Sequence, residues 1–179
     1  MATGVTTELS ERLARATEPA EALSLVLERA LAEAGIARGL VVYSDGGRRR
    51  VLGFGVADGY IQKTRRAANQ EETVLSEVLN AGETARIPAP DGESGELHVV
   101  PFSGLKEDPW GALLLDGRTD PGSVQAVVGV FRQFTPVLEK VRLFREMQGR
   151  AERLSRQRDL LTTIVNSLPD PVVLTDATN

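Results

Sequence analysis

From Ser123 almost to the end of the chain, apolar residues recur at helical spacing, and this run constrains the fold more than any other feature. Val127, Val130, Phe131 and Phe134 make one apolar face. Val137, Val141, Phe144, Met147, Ala151, Leu154, Arg158, Leu161, Val165 and Leu168 then follow at steps of three and four. The positions between carry charge, among them Glu139, Lys140, Arg142, Arg145, Glu146, Arg150, Glu152, Arg153 and Arg156. A narrow apolar seam with charge elsewhere is a coiled-coil pattern. The step from Phe144 to Met147 adds a second consecutive three, a local break in heptad phase. Residues 137–168 would extend roughly 48 Å at 1.5 Å per residue, longer than a globular helix needs. The pattern predicts a parallel homodimer seam rather than a helix packed along its own domain. Arg158 falls on that seam, where a charge costs stability while restricting register. Pro136 is expected to kink the helix rather than restart it.

Upstream the periodicity changes. Leu9, Leu13 and Ala16 mark a helix over 7–16, and Leu23, Val26, Leu27, Ala30, Leu31 and Ala34 mark a second. Thr17 can cap the second helix, Pro19 suits its first turn and Gly35 its end. Gly39–Ser44 and Arg50–Val56 flank an Asp45-Gly46-Gly47 turn and read as a β-hairpin. The first of these strands is apolar at nearly every position, so both sheet faces should be covered. Residues 58–69 read as polar and irregular, and Glu71–Asn80 as a helix. Thr84–Ile87, Leu97–Phe102 and Trp110–Asp116 complete a mostly antiparallel sheet of five to six strands. The fold class is α+β, with helices flanking the sheet and a long C-terminal helix.

Composition removes several function classes. The chain has 179 residues and no cysteine, which excludes disulfides, thiol nucleophiles and cysteine metal sites. Its net charge of −4 gives no general electrostatic reason to bind nucleic acid. Arg48-Arg49-Arg50 reads as a solvated loop rather than a phosphate patch, as does Lys63 with Arg65-Arg66. No apolar run approaches the ~20 residues that span a bilayer, and the first residues lack the apolar core of a signal peptide. The expectation is a cytoplasmic chain without membrane contact. His98 is the single histidine, so no histidine cluster holds a metal, and no metal site is expected. No Gly-rich nucleotide loop is present either; Gly53-Phe-Gly55 reads as a bulge.

Residues 96–116, Glu-Leu-His-Val-Val-Pro-Phe-Ser-Gly-Leu-Lys-Glu-Asp-Pro-Trp-Gly-Ala-Leu-Leu-Leu-Asp, resemble the paired strands near the end of GAF domains. The helix, hairpin and Leu79-Asn80-Ala81-Gly82-Glu83 step upstream fit the same order, over about residues 18–145. The tail from Arg158 to Asn179, with Leu168-Pro-Asp-Pro171 and Val172–Asp176, resembles the entry helix and first strand of a PAS domain. The resemblance divides the chain into an N-terminal helix (1–17), a GAF-like sensory domain (18–135), a signalling helix or coiled coil (136–168) and the start of a PAS domain (169–179). It implies a regulatory input module of a bacterial signal-transduction protein, such as a two-component sensor histidine kinase feeding a phosphorelay. The chain itself is then not an enzyme, and the parent's catalytic domains would follow residue 179. The alternative is a ligand-free dimerisation spacer in a diguanylate cyclase or a transcription activator.

Family activities that need cysteine, bilin attachment and methionine sulfoxide reduction, are excluded, and the Asn-Lys pair of the cyclic-nucleotide branch is absent. His98 is a nominal haem ligand by resemblance, but a lone histidine in mid-strand reads better as structural. No cofactor is predicted; an unknown small ligand remains open. The expected pocket lies between one sheet face and residues 58–83, walled by Tyr43, Phe54, Val74, Arg86, His98 and Trp110. The competing reading makes the aromatics plain core and Arg86 a solvated side chain.

Overall fold

A computed structural model describes residues 2–92, 95–104 and 109–167, with side chains from Leu9 onward. The proposed PAS start at 169–179 lies outside the described residues. Ten elements follow in order: α1 (Ala2–Arg15), α2 (Pro19–Ala34), β1 (Gly39–Asp45), β2 (Arg48–Phe54), α3 (Asp58–Asn69), α4 (Val74–Ala81), β3 (Ala85–Pro88), β4 (Glu96–Ser103), β5 (Pro109–Asp116) and α5 (Pro121–Ser167). The five strands form one sheet in the order β2-β1-β5-β4-β3, with every neighbouring pair antiparallel. The β1–β2 turn is Gly46-Gly47, at φ 58° and 81°. Two successive positive φ values match the right-handed twist of a tight hairpin, and glycine reaches them without strain.

Three layers result. One sheet face packs on α1, α2 and α5 through Leu13, Leu23, Leu27, Leu31, Val41, Leu113 and Phe131. The other packs on α3 and α4 through Leu40, Val42, Val51, Ala68, Leu75, Val99 and Leu114. β1 is accordingly buried from Gly39 to Tyr43 on both of its faces. Leu9 and Leu13 of α1 and Ala16 just after it join the first of these cores, so α1 packs on its own chain.

Several local readings change. Residues 58–69 are not irregular: Tyr60, Thr64 and Ala68, one turn apart, face the sheet. The Thr64 hydroxyl donates to the Tyr60 carbonyl at 3.0 Å, which lets a polar residue sit fully buried inside the helix. Glu18, not Thr17, holds the N-cap position of α2, with Pro19 in its first turn. Arg49 is not in a solvated loop but in β2, on the α3/α4 side.

α5 runs unbroken through Pro136. Proline removes one N–H from the helix ladder there, and the neighbouring Thr135 hydroxyl donates to the Phe131 carbonyl at 3.0 Å. The core does not end at residue 135, because Leu138, Glu139 and Val141 are still buried. The Glu139 carboxylate accepts two hydrogen bonds from Arg142, at 2.6 and 3.1 Å. The Arg142 guanidinium lies 5.8 Å from the centre of the Trp110 ring, and Trp110 meets Phe102 edge-on at 5.1 Å. This cluster fixes the root of the helix to β4 and β5. From Ala151 to Ser167 every residue of α5 is exposed.

Candidate ligand site

Two clefts open on the sheet face that α3 and α4 cover. The first, about 300 Å³, lies between α4 and the middle of the sheet and is bordered by Val42, Arg49, Leu79, Asn80, Val99 and Ala112. Arg49 reaches it because β2 alternates: Arg49 and Val51 share the face turned to α3 and α4. Its guanidinium donates to the Ala68 carbonyl at 2.7 Å, to the Ser76 hydroxyl at 3.1 Å and to the Asn80 side-chain oxygen. Its backbone exchanges two hydrogen bonds with the Asn69 amide, at 3.0 and 2.9 Å. One residue therefore ties β2 to the end of α3 and to α4. Burial lowers its pKa.

The second cleft, about 250 Å³, lies at the start of α3 and is bordered by Leu40, Gly55, Val56, Tyr60, Leu97 and Leu114. Arg38 and Asp116 also border it, paired at 2.8 Å. The backbone N–H of Arg118 and the Arg38 guanidinium hold the Asp116 carboxyl below the ordinary carboxylate range. The Tyr60 hydroxyl is buried with no hydrogen-bond partner among the described residues. Burial raises its pKa, with Asp91 adding to the rise. An unsatisfied buried hydroxyl costs roughly 1–3 kcal/mol. Gly55, at φ 66°, shapes the wall: a Cβ there would lie 2.1 Å from the Ala37 carbonyl oxygen. Only glycine allows the two backbones to meet so closely.

The six residues expected to wall the pocket do not converge. Tyr43 and Trp110 border the first cleft yet belong to the core on the opposite face. Phe54 ends β2, exposed, and borders neither cleft. Val74 is exposed at the start of α4, beside a separate hollow with Pro88 and Asp91. Arg86 and His98 stand opposite each other on β3 and β4, facing α5. Arg49, Tyr60, Gly55, Arg38 and Asp116 were not among the expected residues. Among the described residues no three His, Cys, Asp or Glu side chains gather as metal ligands do.

The seam residues divide as well. Val137 packs on the core and Val141 is buried in it, so these two serve their own chain. Phe144, Met147, Leu154, Leu161 and Val165 are large apolar residues left exposed, and Ala151 and Arg158 are exposed among them. Among the described residues, Arg158 pairs with its neighbour Asp159, at 2.9 Å. No described helix is long and apolar enough to cross a membrane.

No protein-family model and no curated protein sequence matches the chain. Solved structures do. The GAF domain from an Acinetobacter phosphoenolpyruvate-protein phosphotransferase is 10% identical, with 75% of this chain and 90% of that chain covered and a TM-score of 0.51. Residues 122 to 287 of a methyl-accepting chemotaxis protein are 15% identical, with 79% and 99% covered and a TM-score of 0.56. The GAF domain of a putative sensor histidine kinase from Pseudomonas syringae pv. tomato is 17% identical, with 80% and 89% covered and a TM-score of 0.54. The three layers, the single antiparallel sheet and these likenesses together give the chain a GAF-like α+β fold.

Proposed function

We propose that this chain is a sensory module of a bacterial signal-transduction protein, a sensor histidine kinase, and that it works as a homodimer joined through the outer half of α5. One observation carries the reading. A single helix is buried against the sheet as far as Val141 and then continues for some seven turns with Phe144, Met147, Leu154, Leu161 and Val165 exposed. An apolar stripe in water is unfavourable, and a second copy covers it in kind. A small ligand or a partner in the clefts beneath α3 and α4 would bias the core between two packings, and the helix would carry the difference outward. The proposal includes a boundary between core and signalling helix near Val141, a PAS domain after it, and catalysis by domains beyond residue 179.

Native mass spectrometry of the purified chain tests this. The expected result is a dimer that carries a small excess mass under gentle ionisation and loses it on denaturation. A dimer without adduct, saturable by no metabolite, would favour the ligand-free spacer. A monomer at all concentrations would end the transmission reading.

A further inference from the structure

On the other face of the sheet, a cavity of about 470 Å³ lies between β4 and the 124–135 stretch of α5. Its floor is apolar, made by Val100, Leu113, Val124 and Phe131, while His98, Gln125 and Arg132 bring polar groups to it. The imidazole Nδ1 of His98 is buried and has no hydrogen-bond partner among the described residues. Arg86 stands directly across from His98 on β3, where facing side chains are about 5 Å apart at Cβ. Neither Arg86 nor Arg132 forms an ion pair among the described residues.

We propose that this cavity is a second binding site, separate from the clefts under α3 and α4, and that it takes a small organic acid: an apolar body on the floor and a carboxylate between Arg132 and His98, at the rim that Arg86 adjoins from β3. The chemistry of each part fits. Two guanidinium groups without carboxylate partners are suited to an oxyanion, and arginine holds a carboxylate through paired N–H donors. Burial, with Arg86 beside it, holds His98 below the ordinary histidine pKa, so its ring is neutral near pH 7. A neutral imidazole carries one N–H that can donate to a carboxylate oxygen. Val100, Leu113 and Phe131 would exclude water from the body of the ligand. The site sits at the root of α5, so its occupant would touch sheet and helix together.

His98 is the single histidine of the chain, so its ring protons give an isolated NMR signal. The probe is benzoate, with benzyl alcohol as its uncharged counterpart, titrated into the full chain at pH 7.5. The expected result is a saturable shift of the His98 signal by benzoate and binding of benzyl alcohol at least about tenfold weaker, as the loss of a charge-assisted hydrogen bond predicts. Arg132→Gln should weaken benzoate by a similar factor, and Arg86→Gln should do so as well. Tyr60→Phe, on the opposite sheet face, should leave benzoate binding unchanged. No saturable shift, an equal shift with benzyl alcohol, or wild-type affinity in both arginine variants would overturn the proposal.

Discussion

Replacing Leu154 and Leu161 together by alanine separates the dimer seam from the stability of the domain. In the single chain these side chains are 66% and 62% exposed. Each Leu→Ala change removes about three carbon groups, worth about 0.8 kcal/mol apiece when fully buried. Scaled by the surface still open to a partner, each leucine is worth about 1.5 kcal/mol at the seam. Two positions on each of two chains give about 6 kcal/mol, or about four decades in the dimer dissociation constant. The domain should hardly notice, because neither side chain contributes to its core and alanine is a strong helix former. Sedimentation velocity over a concentration series measures the dimer, and thermal unfolding under conditions where both proteins are monomeric measures the domain. A double variant that dimerises as the wild type does would refute the seam. So would a monomer melting temperature that falls with the dimer, since that would place the two leucines inside the fold.

Other perturbations follow from the same geometry. Phe131→Ala empties a fully buried site between α5 and the sheet, at a cost of about 3–5 kcal/mol; calorimetry should show a fall on the order of 10 °C in Tm. Arg158→Leu removes a charge from the seam and should raise the melting temperature of the dimer; a lower one would take Arg158 off the seam. The His98 pKa is lowered in the folded chain, so the unfolded chain binds more protons once the pH falls below the ordinary value. Its share of stability is present above pH ~6.5 and is lost as pH falls from there toward the folded pKa. Denaturant titrations at pH 7.5 and 5.5 should therefore differ more for the wild type than for His98→Gln.

The order of strands and helices was legible because hydropathy period and turn chemistry agreed nearly everywhere. The hairpin shows this: an apolar strand, two glycines and a second strand admit one pairing, and β1 and β2 take it. α3 was hidden because its buried stripe is Tyr60, Thr64 and Ala68, only modestly apolar, beside Lys63, Arg65 and Arg66. Arg49 was hidden among three identical neighbours. Strand parity would have distinguished it, since Arg49 shares with Val51 the face turned to α3 and α4 while Arg48 and Arg50 face the other way. Parity also explains the dispersed pocket. Along β4, Leu97 and Val99 face α3 and α4, and the alternating His98 and Val100 face α5. Grouping residues by chemical type joined His98 and Arg86 to a cleft on the wrong side of the sheet.

A rod clamped at one end and extended beyond the clamp is a lever, and α5 has that form. From Val141, the last residue held by the core, to Ser167 the helix rises about 39 Å. A tilt of about 3° at the clamp would carry the far end about 2 Å sideways at that length. Rotation matters as much as tilt: each residue inserted in or removed from the arm turns everything beyond it by about 100°. The direction in which the far end points is therefore set by the count of residues between clamp and tip, and loss of one residue would turn Leu161 and Val165 away from the line that Phe144 begins.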